Sequence, residues 1–147
     1  MAGSLRRSAW KAELRFRFGL MPFDWNEYLV LARQLATAGD EASKRSAISR
    51  AYYFVFNMAF ARAEATAGRH PGGESFHKWC WDKFERTPDA SCRRIGIDGA
   101  RMKRRRVKAD YQVADIPRLD DEVRRMLSEA QQFRANLAAL NPRYPLP

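Results

Sequence analysis

The chain has only two cysteines, Cys80 and Cys92, and only two histidines, His70 and His77, in 147 residues. Two thiols without a secretory signal pattern argue against a disulfide-stapled fold and for a reducing, cytoplasmic setting. His77 and Cys80 share a helical face, yet the four residues match no closed zinc pattern, so neither a metal nor another cofactor is expected. No stretch approaches the roughly 18 uninterrupted apolar residues that a membrane span needs, which excludes a spanning helix. A Gly-rich phosphate loop, a nucleophile elbow and a sheltered pair of carboxylates are also missing. Those absences leave positive charge as the main chemical signal.

Lys and Arg number 27 against 17 Asp and Glu, a formal charge of +10 that attracts polyanions or an acidic protein partner. With 46% apolar and 30% charged residues, the chain has the composition of one soluble globular domain with a real core. We divide it into a basic arm or leader over 1–22, one helical domain over 23–141 and a flexible tail over 142–147. The first segment carries Arg6, Arg7, Lys11, Arg15 and Arg17 against Glu13. It reads as a phosphate-touching arm, an organellar presequence or a translated leader, with Met21 as an alternative start.

Periodicity predicts five helices. Asp24 is a suitable N-cap, with Phe23 before it and Glu27 three residues on, as in a capping box. Trp25, Tyr28, Leu29, Ala32, Leu35 and Ala36 then form an apolar stripe to about Ala38, which Gly39-Asp40 breaks. A long helix follows from about Glu41 to Ala67 and ends at Gly68. Ile48, Tyr52, Val55, Phe56 and Ala59 recur on one face of it, and Ala47, Ser49 and Ala51 admit close neighbours, so it is expected at the centre. Tyr52-Tyr53 points one ring into the core and turns the other about 100° away, toward a polar partner.

A third helix from about Glu74 to Arg86 carries Trp79, Trp81 and Phe84 as core or dimer contacts. The fourth is capped by Asp89 or Ser91 and contains Gly96 and Gly99. Each glycine costs roughly 1 kcal/mol against Ala, which close packing on the central helix would offset. After Asp110-Tyr111 a loop reaches Ile116-Pro117. The last helix repeats Ile116, Leu119, Val123, Met126, Ala130, Phe133, Leu137 and Leu140, with Asp120, Asp121 and Glu122 in its first turn. With no strand-like alternation, the expected fold is all-α, an up-and-down bundle of about five helices.

The succession of Arg45-Ser46-Ala47-Ile48-Ser49-Arg50-Ala51-Tyr52-Tyr53, then Arg105-Arg106-Val107-Lys108-Ala109-Asp110-Tyr111, then an amphipathic final helix, resembles the HEPN family over about Phe23 to Leu140. The resemblance implies a helical bundle that forms a homodimer and is often encoded beside a small nucleotidyltransferase. Many members are metal-independent endoribonucleases of toxin–antitoxin or defence systems. In those enzymes an Arg, followed four to six residues later by a His, meets its dimer mate. The Arg stabilises developing phosphate charge and the His handles the 2′-hydroxyl proton. Here Arg104, Arg105 and Arg106 are followed at that distance by Asp110, and no His lies between Arg101 and Pro147.

If the chain is catalytic, the resemblance places the work on Arg105, Arg106 and Asp110. Arg106 and Asp110, four apart, equally suit a surface ion pair. Six of the eight residues from Arg101 to Lys108 are basic, either a solvated face or a polyanion contact. The candidate RNA-binding or nucleotide-binding residues are Arg101, Lys103, Arg104, Lys108 and Tyr111, joined by Arg50, Tyr53 and Asn57. The last three share a face of the central helix, as a structural network or a ligand wall, with Asp110 or Tyr111 as the expected partners. The leading expectation is a HEPN-like module whose basic dimer groove binds RNA or a nucleotide-type ligand, with a degenerate ribonuclease and a pure binding module both open. The alternative is a protein partner of a nucleotidyltransferase that touches no nucleic acid.

Overall fold

A computed structural model of the chain describes residues 22–147. Among them lie five helices and no strand: α1 (Asn26–Ala36), α2 (Glu41–Ala67), α3 (Phe76–Arg86), α4 (Ala90–Tyr111) and α5 (Leu119–Ala139). The basic arm expected over 1–22 falls, Pro22 apart, outside the described residues. The rest is an all-α bundle, and no described helix is long and apolar enough to cross a membrane.

The bundle is built around α2, which packs against all four other helices. Ala47, Ile48, Ala51, Tyr52, Phe54, Val55, Phe56, Ala59 and Ala63 are all buried. They cover more than half of the helix's circumference rather than one narrow stripe, as a helix with several neighbours requires, and Arg50, Tyr53 and Asn57 lie on the less buried side. Local chemistry sets its ends: the Asp40 carboxylate accepts from Ser43 N at 2.8 Å, and Gly68 leaves the helix at φ 88°. Asp89 caps α4 in the same way, accepting from Cys92 N at 2.8 Å. At α1 the arrangement differs from a capping box. Asp24 Oδ1 accepts from Asn26 N at 3.0 Å, and Glu27 N bonds the Asp24 carbonyl oxygen at 2.9 Å.

Gly96 and Gly99 do mark a close approach, but to α3 and not to the central helix. A Cβ on Gly99 would lie 2.3–2.5 Å from the Trp81 ring, and one on Gly96 would lie 2.8 Å from Glu85 N and 2.9 Å from Trp81 O. The two helices touch backbone to ring because α4 has no side chain there.

Two arginines of α2 hold the C-terminal ends of its neighbours. Arg45 donates to the carbonyls of Ala109 (3.2 Å), Gln112 (2.6 Å) and Ala114 (3.1 Å), where α4 runs out. Arg62 donates to Leu140 O (3.3 Å), Asn141 O (2.8 Å) and Tyr144 O (2.8 Å) beyond α5. Both place a fixed positive charge on carbonyls that have no helical partner. The second clamp also changes the expectation of a flexible tail. Residues 142–147 lie on the body, with Pro145 buried and Leu146 N bonded to Thr87 Oγ1 at 3.0 Å.

Gly99→Ala should destabilise the fold by about 1–3 kcal/mol or more, because the new methyl overlaps the buried Trp81 ring. Gly39→Ala, which meets nothing within 4 Å, is the matched control. Urea unfolding of the two variants measures the difference.

Candidate functional site

The site is assembled where α2, α3 and α4 meet, around the Tyr52-Tyr53 pair. Tyr52 is fully buried, so its hydroxyl must find partners inside the protein. It finds two on α3: Trp81 Nε1 donates to it at 3.2 Å, and its oxygen lies 2.7 Å from His77 Nδ1. Burial raises the Tyr52 pKa well above the ordinary phenol range, despite the Trp81 hydrogen bond and the nearby Arg106. His77 also packs against Phe56, the rings tilted by 34° with centroids 4.1 Å apart. Burial, reinforced by the charges of Lys103 and Arg106, lowers its pKa from 6.5 to about 4, so the ring is neutral at physiological pH.

From α4, Arg106 closes this cluster. It is only 7% exposed, and its guanidinium lies 5.5 Å from both the Tyr52 and the Tyr53 ring centroids. Its Nη1 pairs with Asp110 at 3.3 Å, and Asp110 also accepts from Ser49 Oγ at 3.3 Å. Arg50 approaches Tyr53 from elsewhere, 5.1 Å from its centroid, so this ring contacts two arginines.

Helical spacing sorts the basic run of α4 onto three sides. Arg101 and Arg105 turn to α5: Arg101 reaches Asp98 (2.9 Å) and Glu129 (3.5 Å), and Arg105 reaches Glu129 (2.6 Å) and Glu122 (3.8 Å). Arg106 and Lys103, three apart, turn toward the Tyr52–His77 cluster. Arg104 and Lys108 are exposed. Lys103, Arg104 and Lys108 have no ion-pair partner among the described residues. Tyr111 ends the helix 72% exposed.

The expected residues are thus partly brought together. Tyr53, Arg106, Asp110 and Lys103 gather at one junction, and Arg105, expected beside Arg106, instead bridges to α5. Arg50 and Asn57 do not meet Asp110 or Tyr111. Arg50 lies 5.0 Å from the Tyr28 ring centroid on α1, and Asn57 Nδ2 donates to Tyr53 O at 2.7 Å. Asn57 also lines a cavity of about 270 Å³ with Phe23, Trp25 and Met58, away from α4. The wall behind α4 is made by Arg45, Ser49, Tyr52 and Tyr53 instead. His77 is the residue that sequence reasoning passed over, having weighed it only as a metal ligand. Its spacing from Cys80, Trp81 and Phe84 places it on the buried stripe of α3, which was the available signal. Among the described residues, no three His, Cys, Asp or Glu side chains converge as a metal site would require.

Comparison with protein-family models, curated proteins and solved structures finds no match to the chain. The chemistry therefore rests on the geometry: a buried arginine, a neutral imidazole and outward cations, with one carboxylate among them.

The His77 ring should titrate near pH 4 by NMR. Its folded value lies below its unfolded one, so its contribution to stability is complete above about 6.5 and is lost as pH falls toward 4. Subtracting the stability profile of His77→Phe from that of the natural chain isolates this loss. Tyr52→Phe, which strips the partner from His77 and Trp81, should lower stability by about 1–3 kcal/mol in urea.

Proposed function

We propose that the chain is a HEPN-like helical module that binds RNA or a nucleotide-type ligand along α4, as a homodimer within a toxin–antitoxin or defence system. The observation that carries this reading is the set of three α4 cations, Lys103, Arg104 and Lys108, with no carboxylate partner among the described residues. Salt bridges to Asp98 of α4 itself and to the carboxylates of α5 take up Arg101 and Arg105, so the fold discharges part of the helix and leaves the rest for an external anion. The order of Tyr52-Tyr53 and Asp110-Tyr111 along the chain supports the family reading. Apolar Val107, Tyr111 and Val113, respectively 38%, 72% and 101% exposed, supply a contact for the dimer mate or for a nucleotidyltransferase partner.

Asp110 favours binding over cleavage. It stands where the ribonucleases of the family carry His, and it is engaged by Arg106 and Ser49. A carboxylate in that position also repels a phosphodiester.

RNA affinity should fall steeply with salt. Arg104→Ala combined with Lys108→Ala should reduce the slope of log affinity against log salt by about 1 to 1.5, at about 0.7 per phosphate contact on a single strand. A flat salt response in the natural chain would falsify the nucleic-acid reading and favour the protein-partner alternative. The same RNA, incubated with and without chelator, tests the enzyme. Metal-independent cleavage that disappears in Arg106→Lys would make the protein a ribonuclease, whereas intact RNA with binding retained leaves a binding module.

A further inference from the structure

We propose that Lys103, Arg106 and the Nε2 edge of His77 form a binding site for one phosphate-type oxyanion, at the junction of α4 with α2 and α3. Three observations support it independently. First, Arg106 is buried with an N–H to spare. Its Nη1 is engaged by Asp110, but its Nε is buried with no hydrogen-bond partner among the described residues. The Nε/Nη2 side of a guanidinium is an edge that grips two oxygens of one oxyanion.

Second, His77 presents a donor. The Tyr52 oxygen takes the Trp81 N–H, and His77 Nδ1 is the one acceptor that the described hydrogen bonds place beside the buried Tyr52 hydroxyl, so we assign the Tyr52 O–H as donor to Nδ1. The neutral imidazole then carries its proton on Nε2, which has no hydrogen-bond partner among the described residues. The ring is half-buried, so this edge is not sealed inside the core.

Third, the local charge does not balance. Lys103 sits one turn before Arg106 on the same side of α4, and both cations act on His77. Asp110 is the one carboxylate paired with either of them, leaving one positive charge for a ligand to neutralise. From α2 the ring meets Tyr52, Tyr53 and Phe56, none of them a carboxylate or a cation, and beside it Lys78 of α3 is shared between Glu74, just before the helix, and Asp82. The choice of phosphate over carboxylate rests on the nucleic-acid reading; the donor set does not.

An anion in this site would favour the protonated imidazole, so binding tightens as pH falls below neutrality. The test is NMR of the full chain labelled at histidine nitrogens, where His70 serves as an internal reference. Inorganic phosphate should move the His77 signals, leave those of His70 in place, and raise the His77 titration midpoint by about one unit or more. Lys103→Ala should weaken phosphate binding about tenfold, while Lys103→Arg retains it. Signals of His77 that stay unmoved at tens of millimolar phosphate, or that move equally in Lys103→Ala, would overturn the proposal. A short RNA with hydroxyl ends separates this site from the wider reading. If phosphate binds at His77 and the RNA does not bind, the site stands alone as a free-phosphate or terminal-phosphate site. If RNA binds through Arg104 and Lys108 while phosphate leaves His77 unmoved, the site falls and the RNA reading survives.

Discussion

The hydroxyl of Tyr52 is the constraint from which the rest of the junction follows. A phenol in the centre of a helical core is tolerable only when its oxygen is hydrogen-bonded, and the bonds come from outside its own helix. Helix α3 supplies both partners, one turn apart, as His77 and Trp81. The indole that reaches that hydroxyl also lies against α4, which approaches the ring at Gly99 and the α3 backbone beside it at Gly96. That approach in turn sets the rotation of α4 and brings Arg106 over Tyr52 and Tyr53. One buried polar atom thus connects the core to the charged face.

Charge is handled by the same rotation. Six cations crowded into two turns would repel one another if they shared a side, but the helical period separates them into three pairs. One pair is neutralised by Asp98 and the carboxylates of α5, one is drawn toward the aromatic and imidazole cluster, and one is left to solvent. The formal charge of +10 therefore overstates how much of α4 is free to meet an anion. Arg105, one of the three residues that the family resemblance suggested for catalysis, is committed to holding α4 against α5.

The arginine clamps show how the same side chain serves opposite purposes in different places. Arg45 and Arg62 spend their donors on carbonyls at the ends of α4 and α5, which otherwise lack partners. Both sit on α2, so the central helix positions its neighbours at their ends as well as along their lengths. The proline-containing tail, which looks dispensable by composition, is held by one of these clamps.

Much of this architecture was legible in the chain itself. The span of α2, a cap for α4 at Asp89 or Ser91, the apolar stripe of α5 and the burial of Trp79, Trp81 and Phe84 are local matters, set by period, capping chemistry and the size of apolar side chains. The separation of the α4 cations into three faces was implicit in their spacing as well. Which neighbour each face would meet was not, because that depends on how five helices rotate to close one core. Only the folded chain places Gly99 on Trp81, turns Arg50 and Asn57 away from Asp110, and sets His77 beside Tyr52 within reach of the charges of Lys103 and Arg106. His77 stands on another helix, 29 residues before Arg106 in the chain, and comes within reach of its charge only after packing.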